Sequence, residues 1–249
     1  MNTIYTIWLR EVTRFFRAKS RIIGSLGMPF FFLIILGTGF SSTFNINTMK
    51  IRYIDFMMPG IIGMILLFTS MFSGLSVIWD RQFGFLKEIM VAPVSSGCVV
   101  LGKALGGSTT ALIQAILMLF LSLAVGVKLP SLSGVLLSLA FMLLTSFPLV
   151  TLGIAFASKM DDPHGFQLIM NFLIMPMFLL SGAFFPLDKL PDWLKYASCL
   201  NPLSYGVDGL RATLIEITQF SIIKDLVVLL TFSIIIFLVA SYLFRNSSN

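Results

Sequence analysis

One stretch of the sequence has the spacing of a nucleotide-binding loop. Residues 97–104 read GCVVLGKA and match G-x-x-x-x-G-K, a pattern in which backbone amides and a lysine hold phosphate groups. The match is incomplete, because such a loop ends in Ser or Thr and lies between a β-strand and a helix. Here the last position is Ala104 and the surroundings are apolar. The segment therefore gives little support to nucleotide binding by this chain.

A second group of candidate ligands lies at Asp161, Asp162 and His164. These oxygen and nitrogen atoms could in principle bind a metal ion, but no partner ligand is evident elsewhere in the chain, and a solvated loop explains the group better. His164 is the only histidine, and no serine occupies a nucleophile elbow. We therefore predict no intrinsic enzyme, with no catalytic, cofactor-binding or metal-binding residues in this chain.

The composition indicates what kind of molecule carries these residues. Only 11% of the 249 residues are charged and 57% are hydrophobic, whereas soluble domains carry about 25% charged residues. Six stretches contain no Asp, Glu, Lys or Arg, and about 20 apolar residues suffice for a helix to cross a bilayer. These stretches are residues 22–49, 56–79, 104–127, 129–158, 163–187 and 226–244.

The spans are predicted to be helices, because residues 222–244 are apolar on every side and do not alternate as barrel strands do. The predicted fold is an all-α polytopic membrane protein with six transmembrane helices, forming a single domain over residues 1–249. This composition excludes a soluble enzyme, a disordered chain and a nucleic-acid-binding domain. The net charge of +6 is better explained by orientation in the membrane, since basic residues favour the cytoplasmic side.

Five of the 17 basic residues fall within the first 21 positions, which predicts a cytoplasmic N-terminus and, with six spans, a cytoplasmic C-terminus. In residues 1–21 the apolar side chains recur at helical spacing, opposite a row of arginines. This pattern predicts an amphipathic helix lying at the membrane interface. A basic topology signal without a further role is the alternative.

Two connecting segments stand out between the predicted spans. Residues 79–97 begin with charges and continue with apolar residues at helical spacing, which predicts a short amphipathic helix on the cytoplasmic face. Residues 184–221 are punctuated by prolines and predict two short helices, 191–199 and 203–214. These helices are too short to span, so they are either re-entrant elements or an apolar extracellular cap.

The polar residues inside the predicted spans are uncharged. Gln114 and Asn171 are expected to hydrogen-bond between helices, while Gly102 and Gly106 form a small-residue packing face. Lys103 is expected to extend its ammonium to the inner interface. Ion-coupled carriers place ionisable groups within the membrane. Their absence here disfavours ion coupling, so energy for uphill transport must come from elsewhere.

Three segments together carry a resemblance to a known family. They are residues 53–60 (YIDFMMPG), residues 81–95 (RQFGFLKEIMVAPVS) and residues 201–211 (NPLSYGVDGLR). In this order and spacing, with six spans and a basic amphipathic start, the whole chain resembles the type-2 membrane subunits of ATP-binding-cassette exporters. These are the permeases of drug-resistance, nodulation-factor and polysaccharide export systems.

The resemblance implies roles for three groups of residues. The loop after span two would dock on an ATPase subunit as a coupling helix, the N-terminal helix would lie at the interface beside it, and the segment after span five would help to close an external gate. The coupling residues implied are Arg81, Phe83, Gly84, Phe85, Leu86, Lys87 and Glu88. The interfacial residues are Trp8, Arg10, Arg14 and Arg17, and the gate residues are Asn201, Pro202, Tyr205, Asp208 and Arg211.

The resemblance also implies partners and a location. The chain would pair with a second copy of itself and with two copies of a separate ATPase, which would bind ATP and magnesium, in the cytoplasmic membrane of a prokaryote. The expected function is export of a hydrophobic drug or a lipid-like substrate, with export of a polysaccharide or lipid-linked glycan as the alternative. An ATP-independent channel or scramblase is the alternative from another class. Nucleic acid is not an expected partner.

Overall fold

The computed structural model describes residues 2–39, 52–85, 94–127, 132–187 and 191–246, and their regular structure is helical throughout. This confirms the all-α class for the described part of the chain. Its ten helices, numbered here in chain order, are α1 (Asn2–Arg17), α2 (Lys19–Gly39), α3 (Tyr53–Ser73), α4 (Leu75–Gln82), α5 (Ser96–Ala124), α6 (Leu132–Ala157), α7 (Pro163–Leu179), α8 (Asp192–Leu200), α9 (Pro202–Ile215) and α10 (Ile222–Asn246).

Five helical stretches are long and apolar enough to cross a membrane: Ile22–Gly39, Tyr53–Gln82, Ser96–Ala124, Leu132–Ala157 and Ile222–Asn246. The chain therefore has the helices of a multi-pass membrane protein. The second stretch joins α3 to α4 through Gly74, whose backbone keeps the α conformation.

The fifth predicted span is shorter than expected. The charge-free run covers residues 163–187, but α7 ends at Leu179 after 17 residues, about 25 Å at 1.5 Å per residue. The chain turns next, and Gly182 there adopts a left-handed conformation with φ 74°. Lack of charge in a sequence therefore marked a longer segment than the helix itself occupies. The total of six spans remains a prediction.

The spanning helices alternate in direction, so the bundle has two ends with different chemistry. Lys103 near the start of α5 hydrogen-bonds Ser76 of α4, and we name this the α1 end because α1 packs there. At the other end, the α9 end, the Tyr53 hydroxyl at the start of α3 donates to the Phe184 carbonyl beyond α7. The chemistry-bearing side chains fall into two groups, one at each end.

Two short helices lie at the α9 end, as the prolines of residues 184–221 predicted. They are α8 and α9, and α9 is buried from Pro202 to Leu214 against α3, α6 and α10. Asn201 accepts a hydrogen bond from the Leu203 amide at 3.1 Å and so caps α9. The re-entrant character of the pair remains a prediction.

The centre of the bundle is α6, which contacts α3, α4, α5, α7, α9 and α10. Its closest crossing is with the α3–α4 junction, where two glycines face each other's backbone. A Cβ on Gly74 would lie 2.3 Å from the Gly153 carbonyl oxygen, and a Cβ on Gly153 would lie 2.4 Å from that of Met71. Only glycine allows the two helices to approach so closely.

This crossing predicts the effect of adding one methyl group. Gly153→Ala would force the backbones of α3 and α6 apart, and we expect a loss of about 1–3 kcal/mol, as for other overpacked sites. The measurement is the thermal unfolding midpoint of the purified protein in detergent. Gly24→Ala is the matched control, since no atom lies within 4 Å of its Cβ position. Equal midpoints for the two variants would contradict the assigned crossing.

Candidate functional site

The candidate site at the α1 end is built around a buried lysine. The Lys103 side chain is only 2% exposed, and its ammonium lies 2.5 Å from Asp80 Oδ2, 3.1 Å from Ser76 Oγ and 3.2 Å from Glu11 Oε1. All three ammonium protons therefore have partners. The expectation that Lys103 reaches the membrane interface was wrong, because carboxylates from α1 and α4 meet it inside the protein.

Two arginines of α1 complete the cluster. The Arg10 guanidinium donates to Asp80 and to Glu11, the latter at 3.2 Å, and Arg14 lies 4.0 Å from the other Asp80 oxygen. Burial alone would raise the pKa of the Glu11 carboxyl, but Lys103 and Arg10 outweigh burial and hold that pKa below its ordinary value. We call these five residues, Arg10, Glu11, Arg14, Asp80 and Lys103, the inner ion cluster. It joins α1, α4 and α5.

Further contacts hold α1 along the first half of α5. The Trp8 indole donates to the Thr109 hydroxyl at 3.0 Å. Gly102 and Gly106 face α1, since a Cβ on them would lie 2.9 Å from Ile7 Cβ and 2.7 Å from Glu11 Cβ, respectively. The two glycines thus lie at the α1–α5 contact. Arg17, by contrast, is exposed.

Arg81 makes a separate link at the α1 end. Its guanidinium donates to the Ser158 carbonyl at 2.8 Å and to the Asp161 carboxylate at 2.5 Å. The structure places Arg81 in the last turn of α4, so the residue belongs to the continuation of α3 and not to a separate helix. Its contacts tie the end of α4 to the loop that follows α6.

The chain beyond Arg81 leaves the bundle. Phe83 is 82% exposed, and Gly84 adopts φ 78°, a left-handed conformation that ends the helix. The Phe85 ring lies under the Arg10 guanidinium, 3.8 Å from its centroid. Leu86, Lys87 and Glu88 of the predicted coupling segment lie outside the described residues.

The two motifs that suggested other chemistry serve as helix structure. Residues 97–104 lie within α5, with no strand before them among the described residues, and Lys103 is already bound by carboxylates. Asp162 caps α7 by accepting the amides of His164 and Gly165 at 3.1 and 2.7 Å. These amides lower the pKa of the Asp162 carboxyl. Among the described residues no three potential ligands gather into a metal site.

Two adjoining cavities lie beside the inner ion cluster. Their volumes are about 260 and about 460 Å³, and both are lined by Thr69, Phe72, Trp79 and Gln114. The Thr69 hydroxyl donates to the Gln114 side chain, which links α3 to α5 between them. The lining of the larger cavity holds aromatic and Met side chains but no charged residue, whereas Glu11 and Arg14 line the smaller one. This combination suits an amphipathic molecule.

Asn171 lies elsewhere. It is exposed on the outward face of α7, together with apolar side chains such as Phe172, which is 82% exposed. Gln114, by contrast, is buried and bonded within the chain. The two amides that the sequence grouped together therefore have different surroundings.

The predicted gate residues gather at the α9 end. The Asn201 side-chain amide donates to the Met177 carbonyl at 2.6 Å, and Pro202 occupies the first turn of α9. The Tyr205 hydroxyl donates to the Cys199 carbonyl at 2.8 Å. These contacts hold α8 and α9 to each other and to the end of α7.

One turn further along α9, two charged residues are almost completely buried. Asp208 accepts the amides of Gln219 and Phe220, each at 2.9 Å, and so orders the chain entering α10. Arg211 donates to the Gly182 carbonyl at 2.9 Å, and its guanidinium lies 4.1 Å from the centroid of an aromatic ring of α3. Asp208 and Arg211 are 2% and 1% exposed.

The fold and the site together define a polytopic α-helical membrane protein with charged clusters at both ends of its bundle. The ABC-2 type transporter family matches residues 2–215, and the chain belongs to this family. The resemblance inferred from the three sequence segments is thereby confirmed.

The relatives are named transport permeases and span nearly the whole chain. The chain is 29% identical to the transport permease ycf38 of Cyanophora paradoxa, over 92% of this chain and 84% of that protein. It is 28% identical to the inner membrane transport permease YadH of Escherichia coli, over 96% and 91%. Nodulation protein J of Sinorhizobium fredii is 24% identical, over 84% and 80%. The family is one of non-enzymatic membrane proteins.

The inner ion cluster predicts strong coupling between Lys103 and Asp80. Lys103→Met leaves two buried carboxylates with fewer partners, and we expect a loss of about 3 kcal/mol, as for other broken buried ion pairs. The double variant with Asp80→Asn should recover part of this loss. The measurement is a double-mutant cycle on unfolding in detergent. Lys159→Met, at an exposed lysine of the same end, is the control and should change little. Additive losses in the cycle would contradict the pairing.

Proposed function

We propose that this chain is the membrane subunit of an ATP-driven exporter. Two copies would form the transmembrane pathway, and two copies of a separate ATP-binding-cassette ATPase would bind ATP and magnesium and drive it. Family membership supports a transport role. The observation that carries the proposal is the inner ion cluster, because it makes α1, α4 and α5 one unit able to receive a push from outside the membrane.

The ATPase would dock on the α1 end, which faces the cytoplasm in this proposal. A groove of about 550 Å³ between α1 and the end of α4 is lined by residues including Arg10, Arg14, Arg17 and Phe83. A basic groove beside an exposed aromatic ring offers both charge and apolar area to a partner. The coupling segment that begins at Arg81 continues from this groove.

Motion at the docking surface would pass to the bundle through two links. Arg81 connects α4 to the loop after α6, and Lys103 connects α4 to α1 and α5. Since α4 continues into α3, a displacement of the coupling segment would move α3 along its axis. That helix reaches the α9 end, where Arg211 of the proposed external gate lies over its Phe56 ring.

The exposed face of α7 supports pairing of two copies. Its large apolar side chains include Leu168 and Phe172, which are 72% and 82% exposed. Asn171 lies between them, and a polar amide is better accommodated against protein than against lipid tails. On α2, Phe31 is 63% exposed. We place the interface between the two copies on these faces, where Asn171 would hydrogen-bond across it.

The larger cavity bears on the substrate. Its lining combines apolar side chains with uncharged polar groups such as Ser25 and Gln167, and it adjoins the charged mouth near Arg14. These walls favour a hydrophobic drug or a lipid-like molecule. A glycan would need many hydrogen-bonding groups along its path, and the described walls provide few.

The docking proposal predicts a specific loss on changing Phe83. Phe83→Asp places a charge where an apolar contact is proposed, and we expect at least a tenfold weaker association with the ATPase while the thermal unfolding midpoint stays unchanged. The measurement is co-purification of tagged chain with the ATPase from a membrane extract, followed by titration of the purified components.

Leu200→Asp is the matched control, because Leu200 is 86% exposed but lies at the α9 end. It should bind the ATPase like the unaltered chain. Unchanged binding of Phe83→Asp, or an equal loss in both variants, would show that the α1 end is not the docking surface.

A further inference from the structure

A buried acid at the α9 end has no role in the proposed transport mechanism. Asp225, in the first turn of α10, is 0% exposed, and neither of its carboxylate oxygens has a hydrogen-bond partner. An ionised carboxylate in this position would lose its hydration without compensation, which is among the most costly arrangements in a protein. The site must therefore supply something that the side chains themselves do not.

The neighbour of this acid is a second carboxyl group. Asp208 of α9 interacts directly with Asp225 across the α9–α10 contact. Asp208 is committed as an acceptor, because the amides of Gln219 and Phe220 donate to both of its oxygens. Two carboxylates can hydrogen-bond to each other only when a proton lies between them.

The surrounding charges do not neutralise the pair. Lys224 is adjacent in sequence, but its ammonium lies over the rings of Phe220 and Tyr205, at 4.6 and 5.9 Å from their centroids. From α9, Tyr205 and Arg211 also face the pair electrostatically, and Arg211 donates its hydrogen bond to a backbone carbonyl.

The other two helices packed against α10 add no compensating group nearby. Of these, α6 contains no ionisable side chain, and those of α5 are Cys98 and Lys103 in its first turns, at the α1 end. Arg211 is thus the only buried cation facing the two carboxyls among the described residues, and it balances one negative charge.

We propose that Asp208 and Asp225 form a proton-binding site that holds one proton between the two carboxyl groups. With the proton bound, a carboxyl–carboxylate hydrogen bond joins α9 to α10, and the charge of the remaining carboxylate is balanced by Arg211. Release of the proton leaves two like charges facing each other in a buried setting, which pushes the helices apart. The junction of α9 and α10 is therefore sensitive to pH.

The site goes beyond the proposed export function, because it needs neither the ATPase nor a substrate. It acts on the segment assigned to the external gate, however, and would loosen that segment as the pH rises. A proton is favoured over a metal ion, since two carboxyls offer too few ligands and no larger group of ligands is present among the described residues.

Infrared difference spectroscopy of the purified chain tests the proposal directly. At neutral pH the unaltered protein should show the carbonyl stretch of a protonated carboxylic acid, shifted in D₂O, and Asp225→Asn should lose it. Asp192→Asn is the control, because the Asp192 side chain is 90% exposed, and it should keep the band. Asp208→Asn should lose the band as well, so the test survives if one variant fails to fold. Retention of the band in both buried variants would overturn the proposal.

Thermal unfolding over a range of pH provides the second readout. Because the folded chain holds one proton more than the unfolded chain, its unfolding equilibrium constant should rise by up to about tenfold per pH unit while the proton is being released. Asp225→Asn should remove this dependence, since its amide donates to Asp208 at every pH. An equal pH dependence in both proteins would contradict the proton site, and so would a stabilisation by Na⁺ or K⁺ at fixed pH that Asp225→Asn abolishes.

Discussion

The structure depends on the need to compensate one buried ammonium. Lys103 lies on a helix that is otherwise apolar, and its charge is stable there only because carboxylates reach it from two other helices. Glu11 comes from α1, 92 residues earlier in the chain, and Asp80 from α4, 23 residues earlier. Satisfying this charge therefore fixes where the N-terminal helix lies and where the second spanning stretch ends.

The same constraint explains why the two ends of the bundle differ. At the α1 end the ions are paired and two arginines remain directed towards a groove, which suits a protein partner. At the α9 end the buried charges bind backbone groups and hold α9 in place. Between the ends the contacts are apolar or involve uncharged amides and hydroxyls, such as the Thr69–Gln114 pair. In the proposed mechanism the bundle transmits force between its ends and obtains its energy from the partner.

Much of the architecture could be predicted from the sequence, because charge-free runs and prolines are local signals. Five membrane-length helices and the two short helices before α10 were predicted in this way. The end of α7 was not, since a turn of uncharged residues resembles a helix in composition. The partners of Lys103 were also missed, because pairing between residues far apart in sequence depends on the three-dimensional arrangement. A single acid within a row of arginines at Glu11 was the available clue.

The candidate sites divide in the same manner. Arg81 and Asp208 were singled out by a family resemblance, and the structure adds the groups that they bind. Asp225 escaped notice because it lies just before a charge-free run, where a charged residue usually marks the membrane surface. Its burial follows from the fold of residues 216–221, which bring α10 back against α9.

The central claim is that this chain moves its substrate only when a separate ATPase acts on the α1 end. The direct measurement is transport of a hydrophobic dye in proteoliposomes that contain the chain alone or together with an ATP-binding-cassette ATPase from the same organism. The account predicts dye movement that requires both proteins and ATP hydrolysis. Equal movement by the chain alone, without ATP, would contradict it and would indicate a channel or a scramblase.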